Sequence, residues 1–160
     1  MNFSSLQAVK EELQQLSPKE LLELCISLAK YNKENKEYLG YLLFQANDRE
    51  GFIAQIKAEI DDHFINEIES QKNLYYVKKS LRKLLRIINK YCKYIGDKSA
   101  SAEVLIYFCL KIKKAGIPIH NSARLINLFN AQEKKIRWLV SLLHEDLQAD
   151  YLKELESLLK

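Results

Sequence analysis

The chain has 160 residues, 48% hydrophobic and 29% charged, with four glycines, two prolines and a formal net charge of +4. That composition is sufficient to enclose a core in one all-helical domain over residues 1–160, and it excludes disordered and collagen-like classes. The longest uninterrupted apolar run, Val104–Leu110, is far too short to span a bilayer, so no membrane partner is expected.

The opening MNFSSLQAVKEEL lacks the apolar core of a secretory signal. Cys25, Cys92 and Cys109 are odd in number, far apart and each set in an apolar helical run. The expectation is three buried free thiols in a reducing cytosol, hence a cytoplasmic protein, with neither a disulfide framework nor zinc-ligand spacing.

Taken in order, Leu6, Val9, Leu13 and Leu16 mark a short first helix that Ser4 or Ser5 can cap. Ser17-Pro18-Lys19-Glu20 is a strong start signal, with a capping Ser, a Pro at the first helical position and a Glu to close the box. Leu21, Leu24, Cys25 and Leu28 then form the stripe of a second helix. The polar run Asn32–Lys36 reads as a connection, followed by a third helix through Tyr38, Leu39, Leu42 and Leu43. Asn47-Asp48-Arg49-Glu50 repeats the cap pattern, and Phe52, Ile53, Ile56, Ile60, Phe64 and Ile68 carry a fourth helix to about Glu69.

The next stretch, Leu74–Ile95, contains no acid and is flanked by Glu69 and Asp97. Lys72, Lys78, Lys79, Arg82, Lys83, Arg86, Lys90 and Lys93 fall within an arc of roughly 140° on a helical wheel. Val77, Leu81, Leu84, Leu85, Ile88, Tyr91, Cys92 and Ile95 occupy the other side. One amphipathic helix, about 33 Å long, is predicted here. Residues 48–69 carry a net −5 and residues 70–98 a net +8, so an acidic helix precedes a basic one.

Gly96 is placed to end the basic helix in the left-handed conformation. Val104, Leu105, Phe108 and Ile112 give a sixth helix, stopped by Gly116 and Pro118. Asn121 or Ser122 opens a seventh, with Leu125, Leu128, Phe129, Ile136, Leu139 and Leu143 on one side. A break near His144-Glu145-Asp146 leaves a last helix bearing Leu147, Tyr151, Leu155 and Leu158. Seven or eight helices with short connections predict antiparallel hairpins, with an α-solenoid of the HEAT or armadillo kind favoured over a compact helical bundle. The residues themselves show no repeat period.

Two readings compete for the basic helix. Eight cations with Tyr75 among them, and Tyr76 and Tyr94 at the edge, suit an anionic partner, nucleic acid or acidic protein. Tyr75, Lys79, Arg82, Arg86 and Lys93 form one line down the arc and are the candidate contact residues. The plainer reading is a solvated face, neutralised by Glu59, Asp61, Asp62, Glu67 and Glu69 of the preceding helix. A structural or oligomerisation domain without a ligand would follow from it.

Signals for chemistry are few. Glu59, His63 and Glu67 share a stripe and His144, Glu145, Asp146 and Asp150 cluster, yet no Glu-x-x-His pattern of a di-iron bundle occurs. Neither a nucleophile elbow, a glycine-rich phosphate loop nor a Cys-x-x-Cys is present. No enzyme, metal or cofactor is expected. Trp138 is read as a core-edge residue of the seventh helix.

Overall fold

The computed structural model describes residues 5–159, which form eight α-helices and no strand. Ser4, the other capping candidate, and the side chain of Leu158, expected on the last apolar stripe, lie outside the described residues. The chain divides into two compact units, Met1–Asn47 and Asp48–Lys160.

The first unit holds α1 (Leu6–Gln15), α2 (Pro18–Tyr31) and α3 (Lys33–Phe44). Ser5 caps α1 by accepting from Ala8 N–H, and Ser17 with Glu20 completes the capping box of α2. The polar run after α2 is not a loop. Asn32 alone breaks the chain, ending α2 and accepting from Asn35 N–H at 2.7 Å, so Lys33–Lys36 is already the first turn of α3. The two helices pack as a hairpin, which Asn35 ties further by donating to the Leu28 carbonyl at 2.9 Å. Cys25 is exposed, not buried. Three short helices offer little enclosure, and Leu22, Leu28, Leu42, Leu43 and Phe44 are exposed as well.

The second unit begins with α4 (Arg49–His63), capped by Asp48, whose carboxylate accepts from Gly51 N–H at 2.9 Å. The helix continues into a wider π turn, Phe64–Ile68, closed by Glu69 N–H donating to the Phe64 carbonyl. Apolar residues every four positions drift around a regular helix; the wider turn counters the drift, and Ile60, Phe64 and Ile68 all stay buried. Next come α5 (Leu74–Ile95), α6 (Lys98–Lys114), a 3-10 turn (Ile119–Asn121), α7 (Ala123–Val140) and α8 (Glu145–Leu159). Gly96 ends α5 at φ 67°, its N–H donating to the Cys92 carbonyl.

The centre of this unit is α6, which packs on α4, α5, α7 and α8. Val104, Leu105, Phe108, Cys109 and Ile112 are all buried. Polar bonds fix its neighbours: Tyr107 donates to Asp61 at 2.8 Å, Lys111 pairs with Asp61 at 2.6 Å, and Lys57 pairs with Glu103 at 2.6 Å. No described helix is long and apolar enough to cross a membrane.

Candidate functional site

α5 presents its apolar stripe to α4, the π turn and α6, burying Val77, Leu81, Leu84, Ile88 and Cys92. Its cationic side is left facing outward, with Lys79, Arg82, Lys83, Arg86 and Lys93 exposed. Asn73 starts the helix by accepting from Tyr75 N–H at 2.9 Å, which fixes where the first turn and its tyrosines stand.

The acids of α4 do not neutralise this side. Asp61 turns to Tyr107 and Lys111 of α6, while Glu67 of the π turn reaches across and pairs with Lys83 at 2.8 Å. Lys79, Arg82, Arg86 and Lys93 form no ion pair with any described residue. Glu67 is held below the usual carboxylate range chiefly by the Lys83 hydrogen bond. Of the acids expected from sequence to neutralise the face, Glu67 is the one seen paired with a described cation of α5. The geometric reason for Asp61 is that it lies on the side of α4 that packs against α6.

Four of the five candidate residues meet. Tyr75, Lys79, Arg82 and Arg86 line one depression of about 600 Å³ along α5, together with Lys78. Lys93 is two turns away and borders a second depression of about 480 Å³, with Lys98 and Lys135. Asn89 borders both, and its side chain accepts from Lys135 Nζ at 2.6 Å.

Lys78 differs from the other cations. It stands at the margin of the cationic arc next to Val77, and only 9% of its surface is exposed. Its Nζ lies 5.0 Å from the centre of the Tyr75 ring. Burial, then repulsion from Arg124 and Arg82, lowers its pKa. Arg124 at the start of α7 thus belongs to the same positive field. Sequence periodicity along α5 has no means of finding Arg124, Lys98 or Lys135, because each comes from another helix.

The tyrosines separate in the same way. Tyr75 and Tyr76 are more than half exposed, their rings nearly perpendicular at 5.4 Å. Tyr94, expected beside them at the edge of the face, is buried against Tyr91, which in turn meets Phe52 edge-on. Trp138, read as a core-edge residue, is 59% exposed instead, since α7 turns that position away from its packed side.

Comparison with family models, curated proteins and solved structures found no match. The site must be read from its own chemistry.

Among the described residues, no group of three His, Cys, Asp or Glu side chains is placed to hold a metal. His63 is nearly enclosed, with Nε2 3.3 Å from Glu67 but without hydrogen-bond geometry. Cys92 and Cys109 are buried thiols; burial raises both, Cys109 to about 12, so neither is an activated nucleophile.

Proposed function

We propose that this chain is a non-enzymatic helical binding module that holds an anionic partner, nucleic acid or acidic protein, against α5. What carries the reading is the depression lined by Tyr75, Lys78, Lys79, Arg82 and Arg86, whose exposed cations form no ion pair with any described residue. Cations that serve stability are normally paired or dispersed. Here burial, and then repulsion from Arg124 and Arg82, disfavours the charge on Lys78, and a bound anion would offset the repulsion. Localisation in the cytoplasm fits the same reading.

The decisive experiment is the double substitution Arg82→Gln with Arg86→Gln. Both side chains are exposed and form no ion pair with any described residue, so thermal stability should be nearly unchanged while anion binding falls. For nucleic acid, binding by the parent chain should weaken with salt at a log–log slope of about −3 to −4, corresponding to roughly four to six contacts. For an acidic protein, a pull-down should lose with the double variant what the parent captures. A parent chain that binds no polyanion in a salt-sensitive way would end the proposal.

A second reading, a structural or oligomerisation role without a ligand, draws on a different observation. Leu22, Leu28, Leu42, Leu43 and Phe44 of the first unit are exposed, and self-association would cover them with a second copy. Sedimentation equilibrium decides it: a mass independent of concentration removes this reading.

The finer architecture is also a proposal. The HEAT- or armadillo-like solenoid expected from loop spacing requires each repeat to touch only its neighbours. The contact of α6 with four helices supports a compact bundle for the second unit.

A further inference from the structure

The two depressions on the cationic side form one continuous track. Asn89 lines both, so the surface running from Tyr75 past Lys79, Arg82 and Arg86 continues to Lys93 and Lys98. From Tyr75 to Lys93 the track is about 27 Å long at the helical rise. Lys79, Arg82 and Arg86 recur about once per turn, every 5.4 Å or so, on the scale of the interval between successive phosphates of an extended strand, and Lys93 follows two turns on. Asp97, the one acid bordering the second depression, is already engaged by Arg49 at 2.9 Å and by the N–H of Ala100.

We propose that the partner is a single-stranded nucleic acid laid along α5, with a base stacked on Tyr75 and the backbone crossing Lys79, Arg82 and Arg86 to a second cation group, Lys93, Lys98 and Lys135. The inference rests on the anionic-partner reading above and narrows it.

Three observations favour a single strand. First, Lys79, Arg82, Arg86 and Lys93 lie in one row along α5, which matches one phosphodiester backbone; a duplex presents two backbones and keeps its base faces stacked inside. Second, the track carries an open aromatic surface at one end. Tyr75 is 58% exposed, and Lys78 near its ring and Tyr76 at 5.4 Å hold it in place. A flat, exposed tyrosine beside a row of cations is what an unstacked base and its phosphate require together. An acidic peptide has no group that needs the ring. Third, Asn89 supplies a side-chain amide between the two cation groups, oriented by Lys135 at 2.6 Å and able to bond a base edge or a sugar hydroxyl.

The test uses the full chain and fluorescence anisotropy with labelled oligouridylate and oligothymidylate of about three, six and twelve nucleotides. A duplex and a polyglutamate peptide of matched charge serve as the other arms. Single strands should bind most tightly, with a larger gain from three to six nucleotides than from six to twelve, because the track ends at the α5–α6 turn. Comparing the two sugars tells RNA from DNA. Tyr75→Leu should weaken single-strand binding about 5- to 100-fold, Tyr75→Phe should restore it, and neither should alter polyglutamate binding. Lys93→Gln with Lys98→Gln should erase the gain from three to six nucleotides. If duplex or polyglutamate binds as tightly as single strands and Tyr75→Leu has no effect, the single-strand inference is overturned while the anionic-partner reading stands. If no probe binds in a salt-sensitive manner, both are overturned.

Discussion

At the residue scale, charge and burial decide the chemistry of individual groups. The thiols illustrate this most directly. Cys92 and Cys109 are buried, while Cys25 is exposed on a helix, α2, none of whose residues is buried. A thiol reagent should therefore titrate one cysteine in the native chain and all three after denaturation. Rapid native reaction of Cys92 would show that α5 presents a different face to the core. Asp61 makes a second case. Its partial burial raises its pKa, but the hydrogen bonds from Lys111 and Tyr107 outweigh burial and hold the carboxyl below its usual range. The folded state thus holds its proton less tightly than the unfolded state. The resulting stabilisation is fully present above about pH 4 and is lost as the pH falls through the folded value. Because the side chain is 36% exposed, screening limits the effect to about 1 kcal/mol or less. Asp61→Asn should lower stability at neutral pH by that amount and flatten the acid limb of a stability–pH curve. Lack of any change at pH 7 would show that the α4–α6 bond is neutral in energy.

At the element scale, α5 carries opposing demands. One side must pack, and it does so with Val77, Leu81, Leu84 and Ile88. The other carries Lys79, Arg82, Arg86 and Lys93, which form no ion pair with any described residue, while Lys83 pairs with Glu67. Lys78 sits between them, nearly buried and with its charge disfavoured by burial, Arg124 and Arg82. Lys78→Met keeps a long flexible side chain in the same space and removes the charge. The expected outcome is a midpoint of thermal unfolding equal to or above the parent's, together with weaker polyanion binding. A clear loss of thermal stability would mean that the Lys78–Tyr75 contact matters more to the fold than the repulsion does. The boundaries of α5 were legible because local chemistry sets them: Asn73 caps one end and Gly96 the other. The π turn after α4 was not legible. Its i to i+5 bond replaces a regular turn only because three apolar residues must remain on one packed side.

At the scale of the molecule, the chain divides at Asn47, where the capping residue Asp48 begins a new helix. The second unit encloses its own core around α6, so a chain beginning at Asn47 should unfold cooperatively by heat and retain the cationic track. A gradual, non-cooperative transition in that fragment would show that the first unit is needed to complete the core. Removing α7 and α8 should be far more damaging. A compact bundle would lose cooperative unfolding altogether, whereas a solenoid would lose helicity in proportion to its length.

By itself the sequence determined much of what depends on neighbours in the chain, although the Asn32 cap that opens α3 was read as part of a connection. Helical periodicity, the Ser17–Glu20 box, the Asp48 cap, the Gly96 stop and the two-sided character of α5 all act within a few residues. It also supplied the line Tyr75, Lys79, Arg82 and Arg86, since one helix carries all four. Tertiary structure alone decided which side chains were spent. Asp61 could face α5 or α6, and packing turned it to Lys111. Tyr94 could join the open face or the core, and packing against Tyr91 buried it. Lys98, Arg124 and Lys135 joined the cationic field from two other helices. Pairing and burial are distance-dependent relations between elements far apart in sequence, and the period of a single helix carries no information about them.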